Sequence, residues 1–302
     1  MASLMTNAAA MTALQTLSAT NSFFEEVQNR ISTGYRVSTA EDNAAYWSIA
    51  MTMRSDNLAL SAVEDALGLG AATLDTVYAA MESTVDIVDE IKAKLVVVTE
   101  PGVDRAKIQE EIDAPQDNLR SIADSAVFNN ENWLSVDSSD ASYNATKEVV
   151  GSFSLNSGVI TIEKIQIDIT ETELYDDADQ SGILDKAQVN GNAVATIDIS
   201  ALTDSAADLA LLEGMVTDVD DALAEIMDAA TALGAAKSRV KLKNEFVSAL
   251  TGALDRGIGQ LVDADMNEES THLQALQVQQ QLGIQALSIA NSSSQNILSL
   301  FQ

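Results

Sequence analysis

The sequence predicts a mainly α fold: a long antiparallel, coiled-coil-like helical bundle formed by the N- and C-terminal halves, with a small β-rich outer module inserted between them. Three observations predict it. Apolar residues recur at alternating spacings of four and three through a long stretch of each half, the segment between them changes to period two, and both chain ends lack charge.

The first stripe starts at Ile49 and passes through Met53, Asp56, Leu60, Val63, Leu67, Gly70, Leu74, Val77, Met81, Thr84, Val88, Ile91 and Leu95. Asp56, Gly70 and Thr84 are its interruptions. A seam of this length marks a coiled-coil-like face rather than an ordinary globular helix. The second stripe runs from Leu212 through Val216, Val219, Leu223, Ile226, Ala230, Leu233, Lys237, Val240, Asn244, Val247, Thr251, Leu254 and Ile258 to Leu261. Two stripes of similar length joined by an insertion bury each other best as an antiparallel pair. Leu60, Val63, Leu67, Leu74 and Val77 would then face Leu223, Ile226 and Leu233 along one seam. A shorter helix over 104–126 adds Ile108, Ile112, Leu119 and Ile122. Pro115 inside it removes a backbone donor, which predicts a kink or two short helices.

Residues 143–203 are rich in Val, Ile, Thr, Gly and Asn. Ile160 and Ile162 alternate with polar neighbours; Ile165, Ile167 and Ile169 do so one residue out of phase. That slip predicts a β-bulge near Glu163-Lys164. Asn156-Ser157-Gly158 fits the hairpin turn before this strand. Ala193, Ala195, Ile197 and Ile199 predict a further strand.

The ends are different again. Residues 1–24 and 273–302 contain no Asp, Glu, Lys or Arg, and residues 1–40 sum to zero, so the net charge of −30 sits between 41 and 272. Leu14, Leu17, Phe24 and Ile31 at one end, and Leu273, Leu276, Leu287, Ile297 and Phe301 at the other, are the candidate packing residues of two weakly amphipathic helices. Each helix shows too little apolar surface to be stable alone in water, so both are expected to fray in a monomer and to order against copies of the same chain.

Composition excludes several functions. The pI of about 4.1 argues against nucleic-acid or anionic-membrane binding. Without cysteine there are no disulfides and no Cys-based zinc site. The start Met1-Ala2-Ser3-Leu4 has neither a basic region nor a continuous apolar block, so no cleavable leader is expected. No apolar stretch has the length a membrane span needs.

Several stretches resemble bacterial flagellins. Gln28-Asn29-Arg30-Ile31-Ser32-Thr33-Gly34-Tyr35-Arg36-Val37, with the following Ser38 to Ala45, resembles the family's N-terminal signature. Leu261 to Met266, Glu268 to Ser270, Leu276 to Gln281, and Ala290 to Leu300 resemble its C-terminal one. Phe128-Asn129-Asn130-Glu131-Asn132-Trp133-Leu134 resembles the link from helices to hairpin. Asp42 to Ala50, with Tyr46 and Trp47, is most similar to the alphaproteobacterial, rhizobial branch. The resemblance implies an extracellular filament subunit for swimming, exported by the flagellar type III apparatus, with no cofactor. Its segments would be an inner-tube helix over 1–44, outer-tube helices over 45–142, the β-rich module over 143–203, an outer-tube helix over 204–260 and an inner-tube helix over 261–302. Its partners would be other subunits, a filament cap, hook–filament junction proteins and an export chaperone, with no nucleic acid and no membrane insertion. A hook-associated junction protein is the nearest alternative; a secreted calcium-dependent adhesion module on a coiled-coil stalk is the alternative from another class.

No catalytic constellation is present, and His272 is the lone histidine. Asp177, Asp179, Ser181 and Asp185, with Gly182 at the sixth position, resemble the start of a calcium loop, but the twelfth position is Gln188. An ordinary acidic turn is the simpler expectation. Lys237, Arg239, Lys241 and Lys243 form the one dense basic run, fitted either to local pairing across the helices or to an acidic face of a neighbouring subunit.

Overall fold

The computed structural model describes residues 7–156 and 159–299, with side chains placed for 7–153 and 161–292. Part of the expected Asn156-Ser157-Gly158 turn, and the side chains of Ile160, Ile297 and Phe301, lie outside the described residues. The fold is mainly helical, as the spacing predicts. Its helices are α1 (Ala8–Thr33), α2 (Ala44–Val98), α3 (Arg105–Ser125), α4 (Ala206–Val262) and α5 (Met266–Ser299). Between α3 and α4 lie strands β1 (Val127–Phe128), β2 (Glu131–Asn132), β3 (Ser135–Val136), β4 (Thr146–Asn156), β5 (Val159–Asp168) and β6 (Tyr175–Asp176). The chain divides into two compact units, residues 59–250 and residues 1–58 with 251–302.

Within the 59–250 unit, the α2 stripe is buried at every position from Leu60 to Leu95. Leu67, Leu74, Met81, Val88, Ile91 and Leu95 have no exposed surface at all. Leu212, Val219, Leu223, Ile226, Leu233, Val240 and Val247 of α4 are buried with them. Full burial of such a side chain contributes roughly 1.5–3 kcal/mol, so this seam is a major part of the unit's stability. The polar interruptions have specific partners. Lys237 reaches Asp75 of α2 at 2.7 Å, and Asn244 Nδ2 donates to the Glu64 carbonyl at 3.4 Å. Thr84 returns its hydroxyl to the Ala80 carbonyl at 2.9 Å. As numbers rise along α2 they fall along α4, so the pair is antiparallel. Gly70 has a different reason: a Cβ there would lie 2.3 Å from Val149 Cγ1, so the gap in the stripe is where the β4–β5 hairpin docks.

Three local expectations are refined or corrected here. α3 is a single helix through Pro115, which removes the alternative of two short helices. Ile112 and Leu119, both fully buried, hold the helix on either side of the missing backbone donor. The segment from Ala193 to Ile199 forms a 3-10 turn over Val194–Thr196 in place of a strand. Its backbone is met by glutamines of α3: Gln109 Nε2 donates to the Ile197 carbonyl at 3.1 Å, Gln109 Oε1 accepts from Ile199 N at 2.9 Å, and Gln116 Nε2 donates to the Val194 carbonyl at 2.8 Å. Burial alternates from Thr196 to Ser200 without a strand partner, while Ala193 and Val194 are buried side by side. The third correction concerns the bulge, which sits at the expected level of the ladder but on the opposite strand. Gly151 of β4 is the extra residue, between the Val150↔Lys164 and Ser152↔Glu163 pairs. β5 itself runs unbroken, so its change of phase is a real change of face: Ile165 and Ile167 are buried while Ile162 is 55% exposed.

β1 and β2 form a hairpin across Asn129 and Asn130, whose φ values of 50° and 66° are the left-handed conformations a tight two-residue turn requires. β3 pairs parallel with β6. In the other unit, α1 lies antiparallel to α5. Asn7 Nδ2 donates to the Ala290 carbonyl at 2.9 Å, Gln280 Nε2 to Asn21 Oδ1 at 2.7 Å, and Arg30 pairs with Glu269 at 3.2 Å. Each end helix therefore has the other as a partner within one chain. Ile49, expected on the seam, is 49% exposed in this unit; Ala50 takes its place in a small core with Val37, Ile258 and Val262.

Candidate assembly surfaces

The two family-like signatures at opposite ends of the sequence meet in space. Gly34, with φ of 75°, ends α1, and the chain turns into an extended connector. Tyr35 forms a β-bridge with Asp263, the Ala264 N–H donates to the Gly34 carbonyl at 2.9 Å, and the N–H groups of Arg36 and Val37 donate to the Val262 carbonyl. Asp42 folds the rest of the connector by accepting from the Ser38 and Thr39 N–H groups at 2.9 Å each, which holds its carboxyl below the usual range. Asn43 then caps α2 by accepting from the Ala45 and Tyr46 N–H groups. Asp265 accepts from the Asn267 N–H at the start of α5, and His272 is exposed on that helix.

Beyond this strap the α1–α5 pair is thinly packed. Among the described residues of α1, Thr20 and Val27 are the buried ones. Leu17, Phe24 and Ile31 on α1, and Leu273, Leu276 and Leu287 on α5, are half-buried along the line between the helices. Gly283 lets Leu17 approach, since a Cβ there would be 3.2 Å from Leu17 Cδ1. Leu14 lies off that line and is 57% exposed. With it, Met11, Phe23, Val278, Leu282, Ile284 and Ile289 stand uncovered, a large apolar surface on helices with little or no charge around it.

The basic run on α4 splits. Lys237 pairs with Asp75 and stacks over the Tyr78 ring, and Lys243 pairs with Glu163 at 3.3 Å. Arg239 and Lys241 are exposed and have no ion pair among the described residues. The acidic turn does not gather its side chains around a point. Asp177 pairs with Arg120 at 2.8 Å, Asp179 accepts from the Ser181 N–H, the Ser181 hydroxyl donates to Asp176, and Asp185 accepts from the Asp176 N–H. No group of three His, Cys, Asp or Glu among the described residues could hold a metal ion. Gly182 has a packing reason, because a Cβ would lie 2.5 Å from the Leu174 carbonyl oxygen.

Sequence reasoning missed two buried carboxylates near this turn. Burial pushes the Asp176 carboxyl up, but donors from Ser138, Ala178 and Ser181 outweigh it and set the pKa at about 2. Asp218, fully buried on α4, is also raised by burial and lowered further by four donors from Asn190 and Asn192. The Asn190-Gly191-Asn192 triplet, a turn with Gly191 at φ 93°, was the available signal. Glu173 goes the other way: burial raises it, while the Tyr143 hydroxyl donates to it at 2.6 Å.

Comparison with known proteins places this geometry. The model of the bacterial flagellin N-terminal helical region matches residues 4–138, and that of the C-terminal helical region matches residues 216–301. The chain is 50% identical to Flagellin C of Rhizobium meliloti (strain 1021) over 323 residues, covering the whole of both chains. The chain belongs to the bacterial flagellin family. It is of the rhizobial type, and it is a structural subunit of the flagellar filament, not an enzyme. Members of this family polymerise with their own kind into the extracellular filament. A flagellin of Brucella melitensis biotype 1 is 45% identical, again over the whole of both chains. A solved structure of a putative flagellar hook-associated protein from Vibrio parahaemolyticus covers 72% of this chain at 17% identity and a TM-score of 0.47, a distance at which nothing of its role transfers. Among the described residues no helix is long and apolar enough to cross a membrane.

Proposed function

We propose that the filament grows by closing copies of this flagellin-family chain over the uncovered sides of α1 and α5. One observation carries the reading: among the described residues eight large apolar side chains stand exposed on a helix pair whose own interface is only half-buried. The charge-free stretches of these helices, within residues 1–24 and 273–302, can be packed around a common axis without bringing like charges together at close range. Leu17, Phe24, Ile31, Leu273, Leu276 and Leu287 hold the pair, Leu14 joins the intersubunit layer, and Ile297 and Phe301 extend it. In this reading residues 1–44 and 261–302 form the inner tube, residues 45–142 and 204–260 the outer tube, and residues 143–203 face solvent. Export proceeds through the flagellar type III apparatus. The filament cap, the hook–filament junction proteins and an export chaperone complete the set of partners. Neither the junction-protein nor the calcium-adhesin alternative has an observation in its favour.

Electron microscopy of the salted-out protein tests the reading. The full chain should grow long filaments, and a chain lacking residues 1–30 and 273–302 should stay dispersed while keeping its helical circular dichroism. Ordinary filaments from the shortened chain would refute it.

A further inference from the structure

The turn that clasps Asp218 contains the one Asn–Gly step in the sequence. Residues 188–192 close on themselves: the Gln188 N–H donates to the Asn192 carbonyl at 3.0 Å, and the Gly191 N–H donates to the Gln188 carbonyl at 2.8 Å. The closed turn lies on α4. Asn190 donates to Asp218 Oδ1 from its backbone N at 2.8 Å and from Nδ2 at 3.0 Å, and Nδ2 also reaches the Gly214 carbonyl at 3.2 Å. Asn192 donates to Asp218 Oδ2 from its backbone N at 3.1 Å and from Nδ2 at 2.8 Å. Gly214 and Asp218, four residues apart, share a face of the helix. The missing side chain at Gly214 gives the Asn190 amide its seat, since a Cβ there would lie 3.4 Å from Asn190 Cγ.

Asn followed by Gly is also open to a reaction of its own. The backbone nitrogen of Gly191 can attack Asn190 Cγ, because no side chain on the glycine stands in the way. The bond formed between that nitrogen and Cγ closes a five-membered imide; the Cγ–Nδ2 bond breaks, and ammonia leaves with the proton given up by the Gly191 nitrogen. Water then opens the ring. Cleavage at Cγ gives aspartate, cleavage at the main-chain carbonyl gives β-linked aspartate, and nothing is oxidised or reduced. In the folded chain each participant is held off this path. The attacking nitrogen keeps its proton on the Gln188 carbonyl, and the departing Nδ2 is fixed by two hydrogen bonds against α4. The negative charge of Asp218 beside the turn opposes loss of a proton there. Reaction needs the two atoms free to meet in the right orientation, and an unfolded chain restores that freedom.

We propose that Asn190–Gly191 is a modification site gated by folding: the docked turn shields the amide, whereas a chain left unfolded converts Asn190 to aspartate or its β-linked isomer and cannot rebuild the clasp. The product lacks the two Nδ2 hydrogen bonds and sets a second carboxylate against Asp218, which is fully buried. Like charges so placed oppose each other's ionisation, and the β-linked form also inserts an extra carbon into the backbone of the turn. The conversion runs one way, so it records time spent unfolded. This inference is independent of how copies of the chain pack together.

Peptide mass mapping of the full-length protein, held at mildly alkaline pH either native or in concentrated urea, tests it. Conversion at Asn190 should be at least tenfold faster in urea than in the native protein. Two variants read the effect on docking. Asn190→Asp, one of the two products, should lower the thermal midpoint by about 4 °C or more, because hydrogen bonds to a buried carboxylate are lost and a like charge is gained. Asn190→Ser, which removes Nδ2 without adding charge, should lower it less. Equal conversion in the two states overturns the gating, and no conversion at Asn190 in urea overturns the site. An Asn190→Asp chain as stable as the Asn190→Ser chain overturns the block on re-docking.

Discussion

The α2–α4 pair and the α1–α5 pair follow the same alternation of three and four, yet one is complete within the chain and the other is not. In the first, leucine, valine and isoleucine fill the seam, and its polar members reach across to carbonyls and carboxylates. In the second, the corresponding line is filled partly by Thr20, Gln280 and Gly283, and much of the large apolar surface points elsewhere. Spacing fixes where a helix face points; the size of the side chains on it decides whether one partner is enough. The contrast separates stability of the monomer from competence to assemble.

Variants can break that separation or sharpen it. Leu74→Ala, in the fully buried seam, should destabilise the monomer by about 2–5 kcal/mol in chemical denaturation, the usual range for a core cavity. Gly70→Ala forces a Cβ into the space of Val149 and should cost about 1–3 kcal/mol by overpacking. Adding Val149→Ala should recover most of that loss, and failure to recover would show that the hairpin does not dock at Gly70.

Acid should act on the same unit with a defined sign. Asp176, held at about 2, contributes stability that is present above the ordinary carboxylate value and lost as pH falls from about 4 toward 2. Glu173 and Asp185 are raised by burial, so the stability they contribute is present at low pH and lost as pH rises through their native values. Thermal midpoints should hold or rise slightly from pH 7 to 5 and then fall below pH 4; Asp176→Asn should flatten that fall.

The smallest effect on the monomer is expected from Phe23→Ser with Leu282→Ser, on the uncovered side of the end helices. Unfolding should shift by about 0.5 kcal/mol or less, as surface changes usually do, while the protein concentration needed for filaments rises at least tenfold. A large loss of monomer stability would place these residues inside a finished core.

Much of this architecture was legible because long helices repeat their signal. The positions from Leu60 to Leu95 were readable one by one, since each buried side chain recurs on the same face. The hairpin's change of phase was also readable, but not the strand that holds the extra residue: Gly151 carries no side chain, and its place is set by Ile165 packing 2.9 Å from where a Cβ would be. The segment up to Ile199 misled because alternating apolar residues look the same whether a strand or two glutamine side chains satisfy the backbone. Pro115 does not divide α3, because Ile112 and Leu119 are buried on either side of it. The buried carboxylate of Asp176 had no linear signature, since its donor Ser138 is brought to it from an earlier part of the chain.

One consequence follows from the β4–β5 ribbon. Its base is pinned where Val149 enters the notch left by Gly70, and its oily residues on that half point inward. Past Gly151 the greasy side turns over, so Ile162 stands exposed and its cross-strand mate Phe153 is only half-buried. A ribbon built this way can be lengthened, shortened or redecorated toward its tip without loosening its root, which makes it a natural place for subunits to vary while the shaft beneath them stays the same.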